Sequence, residues 1–190
     1  MTIEDRRARE RAARRQLIVS TARSLAEAEG WDAVTTRRLS QEIEYSQPVL
    51  YKHFQGMDQI AEAVAVDGFA ELAEAIGDAR AAGGQARDVL IRIAQRYLAF
   101  ARTHPAVYDA MFTRATTLRF AADGTPASLT SAFDQLRGAV ADVAAGRDAD
   151  DLTEVLWAAL HGLVVLGRTG RLRADRDEAR ITVLVDQMCR

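Results

Sequence analysis

The sequence predicts an all-α fold. Three observations carry this: only three prolines occur in 190 residues, alanine is abundant, and alternating runs of Val, Ile and Thr are almost absent. The propensity balance therefore lies far towards helix. Hydrophobic residues at 48% and charged residues at 27% place the chain among globular proteins and away from the disordered regime. Its length suits one medium domain or a small domain fused to a larger one, with a sizeable buried core.

Arg9 to Glu29 is predicted as the first helix, with Leu17, Ile18, Thr21, Ala22, Leu25 and Ala26 at helical spacing. Gly30 is its natural stop. Thr35 is an N-cap for a second, short helix, because its hydroxyl can accept from a free amide of the first turn. Leu39 and Ile43 then face inward, and the helix ends near Glu44. Ser46 repeats the capping device for a third helix, with Gln47 and Pro48 in a first turn where a missing amide hydrogen costs nothing. Leu50 and Phe54 give that helix one buried stripe, and Gly56 breaks it.

A long helix from Asp58 to about Ala79 carries Ile60, Val64, Phe69, Leu72 and Ile76, and a Gly-containing turn follows. Further helices are predicted near 86–102, 105–115 (Pro105 in its first turn), 127–145, 149–168 and 176–189. A first domain is expected over 9–57 and a second over 58–190, joined through the long helix.

The net charge of −2 excludes a globally basic nucleic-acid coat. Residues 1–56 hold ten cations against eight acids, and six arginines fall between residues 6 and 15 with only Glu10 among them. Cys189 is a single thiol, which rules out an intrachain disulfide and fits a reducing cytosol. Without a secretory segment or an apolar run of membrane length, a soluble cytoplasmic protein with no membrane partner is expected. His53, His104 and His161 are widely spaced, and neither a Gly-rich phosphate loop nor a nucleophile elbow occurs. No catalytic residue, metal or cofactor is expected, so an enzyme is disfavoured.

Two short helices separated by a tight turn at Glu44 and Tyr45, supported by a preceding helix, have the layout of a helix-turn-helix. The helix from Gln47 has the width to enter a DNA major groove. Gln47 can bond an adenine edge, while Pro48 and Val49 can pack on a thymine methyl. Tyr51, His53 and Lys52, the only lysine of the chain, are suited to phosphate oxygens together with Thr36.

At these residues the sequence resembles the tetracycline-repressor (TetR) family of bacterial regulators. The resemblance runs over about residues 13–62, through Gly30, Trp31, Thr35, Leu39, Ser46, Leu50, Tyr51, His53, Phe54, Asp58 and Ile60, and the run LYKHF is especially specific. It implies a homodimer, an N-terminal helix-turn-helix domain for a pseudo-palindromic double-stranded DNA operator, and a C-terminal helical domain for effector binding and dimerisation. It further implies Thr35 and Thr36 at the backbone, Gln47, Pro48 and Val49 at bases, and Tyr51 and His53 at phosphates. Repression is the family's commoner mode. Two positions depart from the pattern. Glu44 stands where a turn glycine is usual, so either a left-handed backbone costs about 1–2 kcal/mol or the turn takes another form. Met57 replaces a common lysine, and an adaptor or sensor without sequence-specific DNA binding is the rival reading. The N-terminal arginines either reach DNA as an arm or form a solvated basic helix end.

In the second half, Leu152 to Gly167 is apolar on more than one face, and a helix of that kind needs a second partner. A symmetric dimer supplies one, with Leu156, Ala159, Gly162 and Leu163 meeting Ile181, Leu184, Val185 and Met188 of the last helix in a four-helix seam. Trp157, His161 and Gly162 resemble the W-x-x-x-H-G pattern of one C-terminal class of the family. His161 is read as an effector contact, a seam residue or a core histidine. An effector pocket would draw on Tyr97, Phe100, Tyr108, Met111, Phe112, Phe120 and Trp157, each of which is otherwise plain core.

Overall fold

A computed structural model describes residues 2–114, 118 and 125–190. The described chain is all-α: α1 (Ile3–Glu29), a 3-10 turn (Trp31–Ala33), α2 (Thr36–Glu42), α3 (Gln47–Tyr51), α4 (Met57–Ala81), α5 (Ala86–Thr103), α6 (Pro105–Asp109), a π-turn (Ala110–Arg114), α7 (Ala127–Ala141), α8 (Ala149–Arg168) and α9 (Asp177–Met188). It divides into two compact units, Met1–Gly68 with His104–Arg119, and Phe69–Thr103 with Phe120–Arg190. The boundary falls inside α4, and the segment after His104 returns to the first unit, which is therefore larger than residues 9–57.

The first unit is built around α1. Ile18, Ala22 and Leu25 bury one stripe of that helix, and Gly30 ends it at φ +84 with its amide donating to Ala26 O. Trp31 then turns inward and its indole N–H donates to Ala106 O at 2.8 Å. The start of α6 is held by the same helix. Pro105 has no amide hydrogen, and the next two amides, of Ala106 and Val107, donate to the Glu27 carboxylate at 3.1 and 3.0 Å, so the orphan donors of the short helix are satisfied. Gly68 lets α6 close on α4: a Cβ there would collide with Val107 Cγ1 and the Met111 thioether.

The second unit packs α5 against α7, α8 and α9. Leu90, Ile93, Leu129, Leu156, Leu160, Ile181 and Val185 fill its core. Asp148 caps α8 by accepting from the amides of Asp150 and Asp151. The pairs Arg87–Asp186 (2.7 Å), Arg102–Asp177 (3.2 Å) and Arg137–Asp150 rim the unit and are exposed, where such pairs contribute little.

Several boundaries differ from the sequence expectation. α1 begins at Ile3 rather than near Arg9, because Thr2 and Asp5 form a capping box: Thr2 Oγ1 accepts from Asp5 N at 3.1 Å and Asp5 Oδ2 accepts from Thr2 N at 2.8 Å. The expected 105–115 helix is a single turn of α-helix running into the π-turn. α7 stops at Ala141, and Ala145 and Gly146 follow at φ 49 and 87.

Candidate nucleic-acid interface

The two short helices are pinned by Leu39 and Leu50, which are 0% and 1% exposed. Thr35 caps α2 as expected, its hydroxyl accepting from Arg38 N at 3.1 Å. The chain then reverses through Glu44 at φ 56, so the left-handed form is the one adopted, at about 1–2 kcal/mol for a residue with a side chain. Tyr45 N donates to Ser40 O at 3.1 Å and closes the turn.

Ser46 occupies the N-cap of α3 in extended backbone, but its hydroxyl makes no capping bond; its carbonyl instead accepts from Val49 N at 2.9 Å. α3 is also shorter than its apolar spacing suggests. It closes at Tyr51, and Lys52, His53 and Phe54 follow in a tightened turn with both His53 N and Phe54 N donating to Leu50 O. That turn carries Phe54 inward, where it is 3% exposed. The result is a surface with one composition. Ser46, Gln47, Pro48, Tyr51 and Lys52 are exposed, Val49, His53 and Thr36 are half-buried, and Thr35 is exposed at the start of α2.

Arg15, one of the six arginines between residues 6 and 15, belongs to this site, although no sequence pattern sets it apart from the other five. Its Nη1 donates to His53 O at 3.2 Å and its guanidinium lies 4.1 Å from the centroid of the Phe54 ring, a cation–π distance. The available signals are that cluster of arginines and the place of Arg15 near Ile18 and Ala22 on the inward side of α1. Burial, followed by the charges of Arg14, Arg11, Arg15 and Lys52, lowers the pKa of His53 below the usual histidine value. Arg38, in contrast, is engaged by Glu29 at 3.1 Å and Glu42 at 3.0 Å.

The residues expected to form an effector pocket divide between the units. Tyr108, Met111 and Phe112 lie in the first, and Tyr97, Phe100, Trp157 and His161 in the second; Phe120 is outside the described residues. Tyr97 and Phe100 are buried, and Trp157 Nε1 donates to Tyr97 Oη at 3.2 Å. Burial lowers the His161 pKa, which favours the neutral imidazole. A cavity of about 360 Å³ in the second unit is lined by none of these. Its lining combines apolar Leu98, Leu163 and Leu172 with Arg102, Arg173 and Arg180 and the carboxylates of Asp175 and Asp177.

Four of the expected seam residues are spent on the unit's own core. Leu156 is 1%, Ile181 2%, Val185 0% and Met188 5% exposed, because each falls on the inward stripe of its helix, where α8 packs on α5 and α7 and α9 packs on α5 and α8. The outward apolar surface of α8 and α9 is instead Val155, Val165, Leu166 and Val183, beside half-buried Ala159, Gly162, Leu163 and Leu184.

Residues 18–64 match the bacterial regulatory proteins of the tetR family, and residues 90–188 match the tetracyclin repressor-like C-terminal domain. An uncharacterised HTH-type transcriptional regulator of Mycobacterium tuberculosis is 31% identical over 180 residues, which cover 90% of this chain and 78% of the relative. This chain belongs to the TetR family. Among solved structures, a protein of unknown function from Rhodococcus sp. RHA1 superposes with a TM-score of 0.77 at 24% identity, covering 92% of this chain and 93% of that one. RolR, in complex with resorcinol, superposes with a TM-score of 0.68 at 16% identity, covering 95% and 89%. These likenesses confirm the TetR architecture. By this membership the chain is in class a ligand-responsive, DNA-binding regulator rather than an enzyme. Among the described residues no helix is long and apolar enough to cross a membrane.

Proposed function

We propose that the protein is a cytoplasmic homodimeric repressor that reads a pseudo-palindromic operator through α3 and leaves it when a small apolar or amphipathic effector binds the second unit. The observation that carries this reading is the exposed face of α3. Gln47 and Pro48, with half-buried Val49 beside them, stand outward on a helix whose opposite face is fixed by buried Leu50 and Phe54. A residue pair suited to adenine and thymine edges thus stands on a rigid support, and Tyr51, Lys52 and His53 stand beside it for phosphates. Thr35 and Thr36 add backbone contacts at the start of α2. A symmetric dimer through the outward face of α8 and α9 would present two copies of α3 to half-sites related by the same two-fold axis.

For the effector, the support is the part-buried Tyr97–Trp157 hydrogen bond and the half-buried His161, whose pKa burial lowers, beside buried Phe100. RolR, of the same architecture, is seen with a small aromatic diol.

The test is selection of duplexes from a random pool by the purified protein, followed by footprinting and transcription from the selected site. A pseudo-palindromic consensus with transcription blocked by added protein is expected. Weak binding that is equal for all sequences would sink the reading and favour an adaptor of the same fold, for which strained Glu44 and the missing cation at Met57 are the supporting observations.

A further inference from the structure

The stretch of α1 before its packed part is a built element, not a frayed end. Its capping box fixes the first turn, and residues 2–17 are all exposed. Arg7, Arg11 and Arg14 are spaced by four and three residues, and the same spacing continues through Ile18, Ala22 and Leu25, so all six share one face of the helix. From Ile18 onward that face is core. Before Ile18 it has no core to cover and carries arginine instead.

Neighbouring charges sharpen the stripe. Arg6 is engaged by Glu10 at 3.7 Å, whereas Arg15, one position beyond Arg14, ties the stripe to the end of α3 through His53 O and Phe54. The field of Arg11 and Arg14 reaches the His53 ring together with that of Lys52. The side of the helix opposite the stripe holds Asp5, Arg9, Ala12 and Gln16, so it has no apolar surface with which to enter a membrane. The whole chain has a net charge of −2, and a polyanion is therefore drawn to this local cluster rather than to the protein at large.

We propose that Arg7, Arg11 and Arg14 form a rail that grips phosphates of double-stranded DNA flanking the segment read by α3, with Arg15 the positioning residue that fixes the rail to that helix. The inference rests on the DNA-reading role of α3 and extends its footprint outward. From Arg7 to Arg14 the rail is about 10 Å long at 1.5 Å per residue, a length of duplex that carries about six phosphate charges over both strands. The rail supplies cations that Met57 does not.

The experiment uses a duplex selected from a random pool by the wild-type protein and the variant Arg7→Gln/Arg11→Gln/Arg14→Gln. The slope of log affinity against log salt should fall by about 0.9 for each phosphate no longer neutralised, close to 3 per protomer, while the preferred sequence stays the same. On a duplex trimmed to the segment that α3 reads, wild type and variant should converge. An unchanged slope, or a difference that persists on the trimmed duplex, would overturn the rail while leaving the role of α3 intact. The triple lysine variant keeps the charge and should keep the slope, and a reduced slope there would assign the effect to helix disruption and overturn the rail as well. Failure of the wild type to select any sequence would instead remove the DNA reading itself, and the rail with it.

Discussion

The guanidinium of Arg15 donates to the carbonyl oxygen of His53 at 3.2 Å, joining the first helix to the turn that closes α3, thirty-eight positions later in sequence. The same group covers the Phe54 ring. Because α3 is a helix of five residues, too short to be stable on its own, contacts of this kind set its orientation. Arg15→Ala should cost about 1 kcal/mol of stability, the scale of a part-exposed cation–π contact plus one hydrogen bond, read as a lowered unfolding midpoint. DNA affinity should fall by more than stability alone explains. Equal affinity for the folded variant would show that α3 holds its pose without Arg15.

His53 gives a pH dependence with a definite sign. Burial and then the charges of Arg14, Arg11, Arg15 and Lys52 hold its pKa below the ordinary 6.5. The folded state therefore favours the neutral ring. That contribution is complete above the unfolded value and is lost as pH falls through the lowered folded value. Acidification should destabilise the wild type more than His53→Gln in denaturant titrations. A DNA phosphate at the ring would act in the opposite direction, so the complex should take up a proton and tighten on acidification; affinity independent of pH in this range would remove His53 from the backbone contacts.

Gln47→Ala tests the reader. It should relax preference at one base pair of each half-site and cost about 1–3 kcal/mol against the selected duplex. Competition among single-base operator variants measures this. Uniform weakening across the variants would move Gln47 from reading bases to holding the backbone.

Gly162→Leu tests the outward face of α8. A Cβ at Gly162 meets nothing within 4 Å in the single chain, so the fold should tolerate the change. A partner subunit packed closely there would not, since overpacking typically costs about 1–3 kcal/mol, here taken from association. Sedimentation should show a weaker dimer with unchanged helicity, and a dimer as tight as wild type would place the seam elsewhere.

Much of this architecture is legible because the chain marks its boundaries chemically. Thr35, Gly30 and Pro105 each stand at an element end for a local reason, and the structure uses all three there. The start of α1 is hidden because an exposed helix has no apolar periodicity to read. The signal there is a different one, the Thr2–Asp5 box. α3 reads as longer than it is because the four-residue spacing of Leu50 and Phe54 survives the tightened turn at Lys52 and His53. Leu156 and Met188 show a deeper limit: periodicity tells which residues share a face, not whether the covering partner is the same chain or another. Arg15 is invisible to such patterns because its role depends on a carbonyl far along the chain.

The brevity of α3 sets a requirement on information. Five residues span about 7.5 Å, little more than two base-pair steps at about 3.4 Å each. With about 1–3 kcal/mol of discrimination per good base contact, one such helix distinguishes only a few alternatives per position. Singling out one address among about a million competing sites needs a factor near 10⁶, roughly 8 kcal/mol. At mid-range values two or three such contacts supply only about 4–6 kcal/mol, so duplication of α3 in the proposed two-fold dimer would close the gap to a unique place in a genome, quite apart from any role in regulation.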